Sequence, residues 1–154
     1  MALIELKESD NINNFLELDD NLFKNETKAY FKDISVYVLQ YPLGKMASIS
    51  YGLSTRVMEY KVKHTCSTEH GSSGSPILNL SNNKVIGIHK KACKQFNYNI
   101  GTFLKFPLND FLQKKNDDLS FPVKAKRHGS ENHHHGKSRD NREFCVSWYC
   151  NFDD

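Results

Sequence analysis

Thr65-Cys66-Ser67-Thr68-Glu69-His70-Gly71-Ser72-Ser73-Gly74-Ser75-Pro76 is the stretch whose chemistry organises the rest of this chain. In a Gly-x-Ser-Gly turn the first glycine and the serine can present backbone N–H groups to one point, where a tetrahedral oxyanion would sit. The serine hydroxyl is then aimed at the carbonyl under attack. Glycine supplies backbone angles that a side chain forbids. A plain Gly/Ser loop is the competing reading. Context separates the two, because this loop is flanked by strand-like runs and is followed by Val85-Ile86-Gly87-Ile88-His89.

Working outward, residues 31–112 read as a succession of short strands. Ile34 to Gln40 is β-branched and aromatic and stops at Pro42 and Gly44. Met46 to Tyr51 alternates at period two and stops at Gly52. Arg56 to Val62, Pro76 to Leu80, Val85 to Ile88 and Gly101 to Phe106 follow, with Asn82-Asn83 as a turn. Six short strands separated by turn signals indicate an all-β, six-stranded antiparallel barrel or sandwich. Pro107 to Gln113 reads as a short helix that starts at a proline and packs Leu108, Phe111 and Leu112.

The flanks differ. Residues 1–30 are acidic and polar, with Asn11, Asn13, Asn14, Asp19 and Asp20 interrupting short apolar pieces, as in a strand end followed by a surface connection. Residues 113–154 hold no period of 2 or 3.6 and are expected to form a polar, disordered tail.

Composition narrows the function. The chain has 154 residues, 38% hydrophobic and 12% aromatic, with a net charge of +3. Mean hydropathy is −0.62. No apolar run approaches the roughly 18 residues of a membrane span, and the charge is too dispersed to indicate a nucleic-acid binder. The N-terminus lacks a basic start followed by an apolar stretch, so it reads as no signal peptide, and compartment stays open between cytoplasmic and secreted. Lys124-Ala125-Lys126-Arg127 reads as a solvated basic cluster. Cys145 and Cys150, with His128 and His133 to His135 upstream, fit no zinc-finger spacing, and no metal site is expected.

Residues 65–89 resemble the nucleophile segment of chymotrypsin/trypsin-fold serine proteases, and most closely bacterial glutamyl endopeptidases and related trypsin-like peptidases. The Ser67-Thr68-Glu69-His70-Gly71-Ser72-Ser73-Gly74-Ser75-Pro76 motif and the Val85 to His89 strand carry the likeness. Gln40-Tyr41-Pro42-Leu43-Gly44 resembles a turn of that family's C-terminal barrel. Gly101 to Lys105 resembles the strand closing its specificity pocket, and Pro107 to Leu112 its terminal helix.

The resemblance implies the C-terminal half of a trypsin-like double barrel over residues 31–112. Residues 1–30 would be a remnant of the N-terminal barrel strand plus the inter-barrel connection, and 113–154 the tail. Ser73 would be the catalytic nucleophile, with the Gly71 and Ser73 N–H groups as oxyanion hole. Thr68 and His89 would be the substrate-binding pair, donating to a Glu or Gln side chain before the scissile bond. Ser72 stands where many trypsin relatives carry an activating Asp. The partner implied is a polypeptide substrate, with no cofactor, nucleic acid or membrane.

The resemblance also implies a deficit. The His and Asp of the triad belong to the N-terminal barrel. Ala2 to Lys7 resembles the strand that follows the catalytic Asp, with the Asp falling one place before Met1. His64 and His70 lie on or near the nucleophile loop itself, and Asp19 and Asp20 match no catalytic position. The expected function is therefore a trypsin-like serine endopeptidase whose chain lacks the His and Asp of the triad, with its activity alone left open, completed by a missing N-terminal barrel or self-associating through an exposed barrel face. The alternatives are a non-catalytic, protease-like peptide-binding domain and a truncated remnant. Cys66 and Cys93 would flank the pocket, as a disulfide or as free thiols.

Overall fold

The computed structural model describes residues 14–119. Six strands, β1 (Ile34–Gln40), β2 (Ser48–Val57), β3 (Lys61–His64), β4 (Pro76–Asn79), β5 (Val85–Cys93) and β6 (Tyr98–Phe103), form a closed antiparallel barrel in the order β1-β2-β3-β6-β5-β4. β4 pairs back onto β1 through Val36–Asn79, Tyr37–Leu78 and Val38–Ile77. Val36, Val38, Val62, Ile77, Ile86 and Phe103 fill the interior. The all-β barrel read from the sequence is the architecture observed.

Strand limits differ from the sequence reading: the run Arg56–Val62 spans the turn between β2 and β3, β5 continues past Ile88 to Cys93, and β6 ends at Phe103, with Lys105 and Phe106 in the following helix. Gly52 is an interior residue of β2, which continues to Val57. A Cβ there would lie 2.5 Å from Cys66 N and 2.8 Å from the Thr65 carbonyl carbon. The glycine marks a close approach of two backbones, a signal indistinguishable in sequence from a strand stop. β2 also points its alternation the other way round. Ser50 and Gly52 pair with the buried Val38 and Val36, so Ile49, Tyr51 and Leu53 are exposed on the outer face.

The segment before the barrel is bound to it. Asp19 N donates to Val85 O at 3.0 Å and Val85 N to Glu17 O at 2.8 Å. A 3-10 turn at Asp20–Phe23 buries Leu22, and helix α1 (Thr27–Tyr30) leads to Phe31, which meets Phe103 edge-on at 5.6 Å. Helix α2 (Lys105–Leu119) begins two residues before Pro107 and extends past the Gln113 expected as its end. Leu108 is buried at its first turn, and Lys105 Nζ donates to Thr27 Oγ1 at 2.7 Å, joining the two flanks. The strand remnant read at residues 1–7, the candidate zinc residues and the tail beyond Leu119 lie outside the described residues.

Asp19 is fully buried and accepts from Asn79 Nδ2 at 2.9 Å and Asn82 Nδ2 at 3.0 Å. Burial lifts its carboxyl pKa, but hydrogen bonds from Asn79, Asn82 and Asn21 outweigh that and hold it below its ordinary value. The folded state thus favours the charged form. The stabilisation is complete above the unfolded carboxyl pKa of about 4 and is lost as pH falls through the lower folded value. Asp19→Ala removes the acceptor of three side-chain amides, those of Asn21, Asn79 and Asn82, and of the Asn21 N–H, and we expect it to cost about 1–3 kcal/mol in urea unfolding at pH 7. An unchanged midpoint would refute the anchoring role.

Candidate active site

The loop between β3 and β4 is held at both ends by backbone bonds. Gly71 and Gly74 both adopt φ +89°, a conformation closed to ordinary side chains. At Gly71 a Cβ would also press within 3.2 Å of Leu43 N, whose own N–H donates to His70 O at 2.7 Å. The Tyr41–Gly44 turn is therefore the seat of the loop. Ser72 is buried: its N–H donates to Glu69 O at 3.1 Å, and its Oγ accepts from Glu69 N at 3.1 Å. It closes the turn and faces away from solvent.

Ser73 does the opposite. It is exposed, and its Oγ donates to Lys90 O at 3.0 Å. Immediately after it, Gly74 N donates to His89 O and His89 N to Ser75 O, each at 2.8 Å. This reciprocal pair joins the loop to β5 where the β5–β6 register shifts between His89 and Lys91. The shift is a bulge that leaves the Lys90 carbonyl available to Ser73. Among the described residues, the N–H groups of Gly71 and Ser73 donate to no acceptor.

His89 is buried with its Nδ1 3.1 Å from Nε2 of His64, a fully buried residue at the end of β3. The rings meet edge to face at 5.2 Å. Burial lowers both pKa values to about 4, with the charge of His89 a further cause at His64, so both rings are neutral at pH 7. His64 Nδ1 is buried without a partner, as is Ser54 Oγ on the residue directly opposite in the β2–β3 register. A bare buried lone pair costs less than a bare buried N–H. That favours the tautomer in which His64 Nε2–H donates to His89 Nδ1 and His89 Nε2 carries its own proton.

Sequence reasoning placed His64 near the nucleophile and missed its connection to His89. Only the alternation of Val62 and His64, both buried between exposed Lys61 and half-buried Lys63, could have hinted at it. Thr68 Oγ1 is buried and unpartnered. His70 is exposed on the loop, and among the described residues its ring makes no bond to Ser73. Cys66 is buried, its thiol pushed up to about 11 by burial, and among the described residues Cys66 and Cys93 form no disulfide. The loop's approach is fixed from both sides by Gln40 Nε2 donating to Ser67 O at 3.2 Å and Asn99 Nδ2 donating to Cys66 O at 2.5 Å.

A family model described as a trypsin-like peptidase domain matches residues 2–88, which include the whole Gly71–Gly74 loop. No curated protein matches the sequence. Among solved structures, Rv3671c from M. tuberculosis H37Rv is similar over 70% of this chain and 55% of its own, at 15% identity and TM-score 0.50. A Glu endopeptidase is similar over 71% of this chain and 50% of its own, at 19% identity and TM-score 0.50. The chain spans about half the length of these structures, which share its fold.

The histidine pair makes stability acid-sensitive. Folded pKa values near 4 lie below the ordinary 6.5, so unfolding takes up protons between those limits. Stability is full above pH 6.5 and falls toward pH 4, with a slope approaching about 1.4 kcal/mol per pH unit per histidine. His64→Gln is expected to reduce that slope in urea unfolding. An identical slope would show that His64 is not held neutral.

Proposed function

The chain belongs to the trypsin-like peptidase domain family, and on that footing we propose that it is the serine-bearing barrel of an endopeptidase. Ser73 Oγ attacks the scissile carbonyl and forms an acyl-enzyme, while the Gly71 and Ser73 N–H groups receive the oxyanion. The observation that carries this reading is the Gly71–Gly74 turn, with an exposed serine hydroxyl between two positive-φ glycines and two uncommitted N–H groups. No cofactor enters the reaction.

His89 and Thr68 form the specificity pair. With His89 Nε2–H and the unpartnered Thr68 hydroxyl as donors, the pocket suits the side-chain oxygen of Glu or Gln before the cleaved bond. The substrate main chain adds as a strand to β5, whose Lys90–Cys93 stretch pairs only with β6 among the described residues.

A serine needs a base to become nucleophilic. The hydrogen bond from Ser73 goes to a carbonyl, which cannot take its proton. The base is supplied by a companion barrel packed on the outer face of β1 and β2. In support, Leu39, Ile49, Tyr51 and Leu53 line that face, and Ile49, Tyr51 and Leu53 are exposed. A large contiguous apolar surface marks an interaction site. The same bond to Lys90 O favours a second reading, a peptide-binding domain without catalysis.

Two measurements test the assignment. In the presence of its companion barrel, a fluorophosphonate probe should label the protein and leave Ser73→Ala unlabelled, whereas silence in both moves the function to peptide binding. A short peptide ending in Glu should bind at least about tenfold tighter than one ending in Ala, a difference that His89→Ala abolishes. Equal binding of the two peptides would remove His89 from the pocket.

A further inference from the structure

Beside the free edge of β5 lies a cationic surface that the proposed chemistry does not use. Lys63 of β3 and Lys91 of β5 both pair with Ile100 of the strand between them, so the three side chains share one row on the outside of the barrel. Lys61 lies on the same side of β3, two residues before Lys63, and pairs with Thr102. Lys63 Nζ sits 3.9 Å above the Tyr98 ring, which stacks on Phe96 at 5.8 Å. Tyr98 itself pairs with Cys93, so the ring pair borders the same edge.

Among the described residues no carboxylate pairs with these charges. β3, β5 and β6 contain no Asp or Glu. Among the described residues, none of Lys61, Lys63, Lys90 or Lys91 joins an ion pair, although Lys84 on the opposite side has both Glu17 and Asp20. Uncompensated lysines this close together repel one another, and a surface of one sign raises the local concentration of oppositely charged ligand.

We propose that this row is a docking surface for an acidic polypeptide segment. Carboxylates placed upstream of the cleaved bond reach Lys91 and Lys63 while the segment lies as an added strand on Lys90–Cys93. Neighbouring strands stand about 4.8 Å apart, so a side chain on the added strand is one spacing from the Lys91 backbone. Lys63 starts beyond β6, but its Nζ lies over the Tyr98 ring of β6, about two strand spacings from the added strand and comparable to the roughly 10 Å Debye length of 0.1 M salt. The inference rests on the peptidase reading only for the direction of the segment, since the charge and the free edge exist without catalysis.

The test uses the full chain carrying Ser73→Ala, so that binding is read apart from turnover. A fluorescent peptide with Asp and Glu at the positions upstream of a single Gln should bind about tenfold tighter at 50 mM salt than its Asn/Gln counterpart. The advantage should vanish by about 0.5 M salt and fall about fivefold in Lys63→Gln/Lys91→Gln. Circular dichroism of that surface variant checks its fold. Absence of fluorophosphonate labelling on the protein with Ser73 intact and its companion barrel present, with this pattern kept in Ser73→Ala, would refute the peptidase reading and leave the docking surface standing. Equal binding of acidic and neutral peptides, no change on Lys63→Gln/Lys91→Gln, or tighter binding of a single-stranded oligonucleotide than of the acidic peptide would each overturn the proposal.

Discussion

Two hydrogen bonds at one residue hold the candidate site together. His89 donates its N–H to Ser75 O and takes the Gly74 N–H on its own carbonyl. The loop is thereby joined to β5 immediately after Ser73, and Ser73 stays outside while Ser72 closes the turn within. The same residue carries the imidazole that meets His64, and the bulge that begins beside it turns the Lys90 carbonyl to the serine. The proposed nucleophile, pocket and docking edge are all referred to one backbone position.

The outer face of β2 follows from a different constraint. Cys66 and Thr65 run so close over β2 that nothing larger than glycine fits at position 52. That contact fixes which phase of the strand is inside. Small residues occupy the interior phase, and the apolar ones are left outside. Exposed Ile49, Tyr51 and Leu53 are the residues that the proposed companion barrel would cover. The site and the apolar face are coupled, since the backbone that crowds Gly52 is the start of the nucleophile loop.

Much of the barrel was legible because short β-branched runs and turn residues are local signals. β1 appears where Ile34 to Gln40 was read, and the nucleophile loop and the strand after it were legible from motif and spacing. Gly52, Asp19 and His64 were not. Each is a residue whose meaning depends on a partner far along the chain: Cys66 for Gly52, Asn79 and Asn82 for Asp19, His89 for His64. An acidic residue among asparagines reads as surface, and only the β4–β5 turn folding over it makes it a buried anchor. The extent of α2 escaped for a related reason: residues 114–118 are polar and show no period, yet they continue a helix whose first turn is packed on the barrel.

By itself, the sequence determined that this is an all-β chain with a serine set in a Gly-x-Ser-Gly turn, because strand period, turn residues and glycine spacing act over a few neighbours. Tertiary structure alone decided which serine faces solvent, which histidine stands behind the pocket, which face of β2 is exposed and which lysines share a row. Those outcomes are set by register and by barrel closure, which bring together residues separated by tens of positions. A one-residue slip would reverse every one of them.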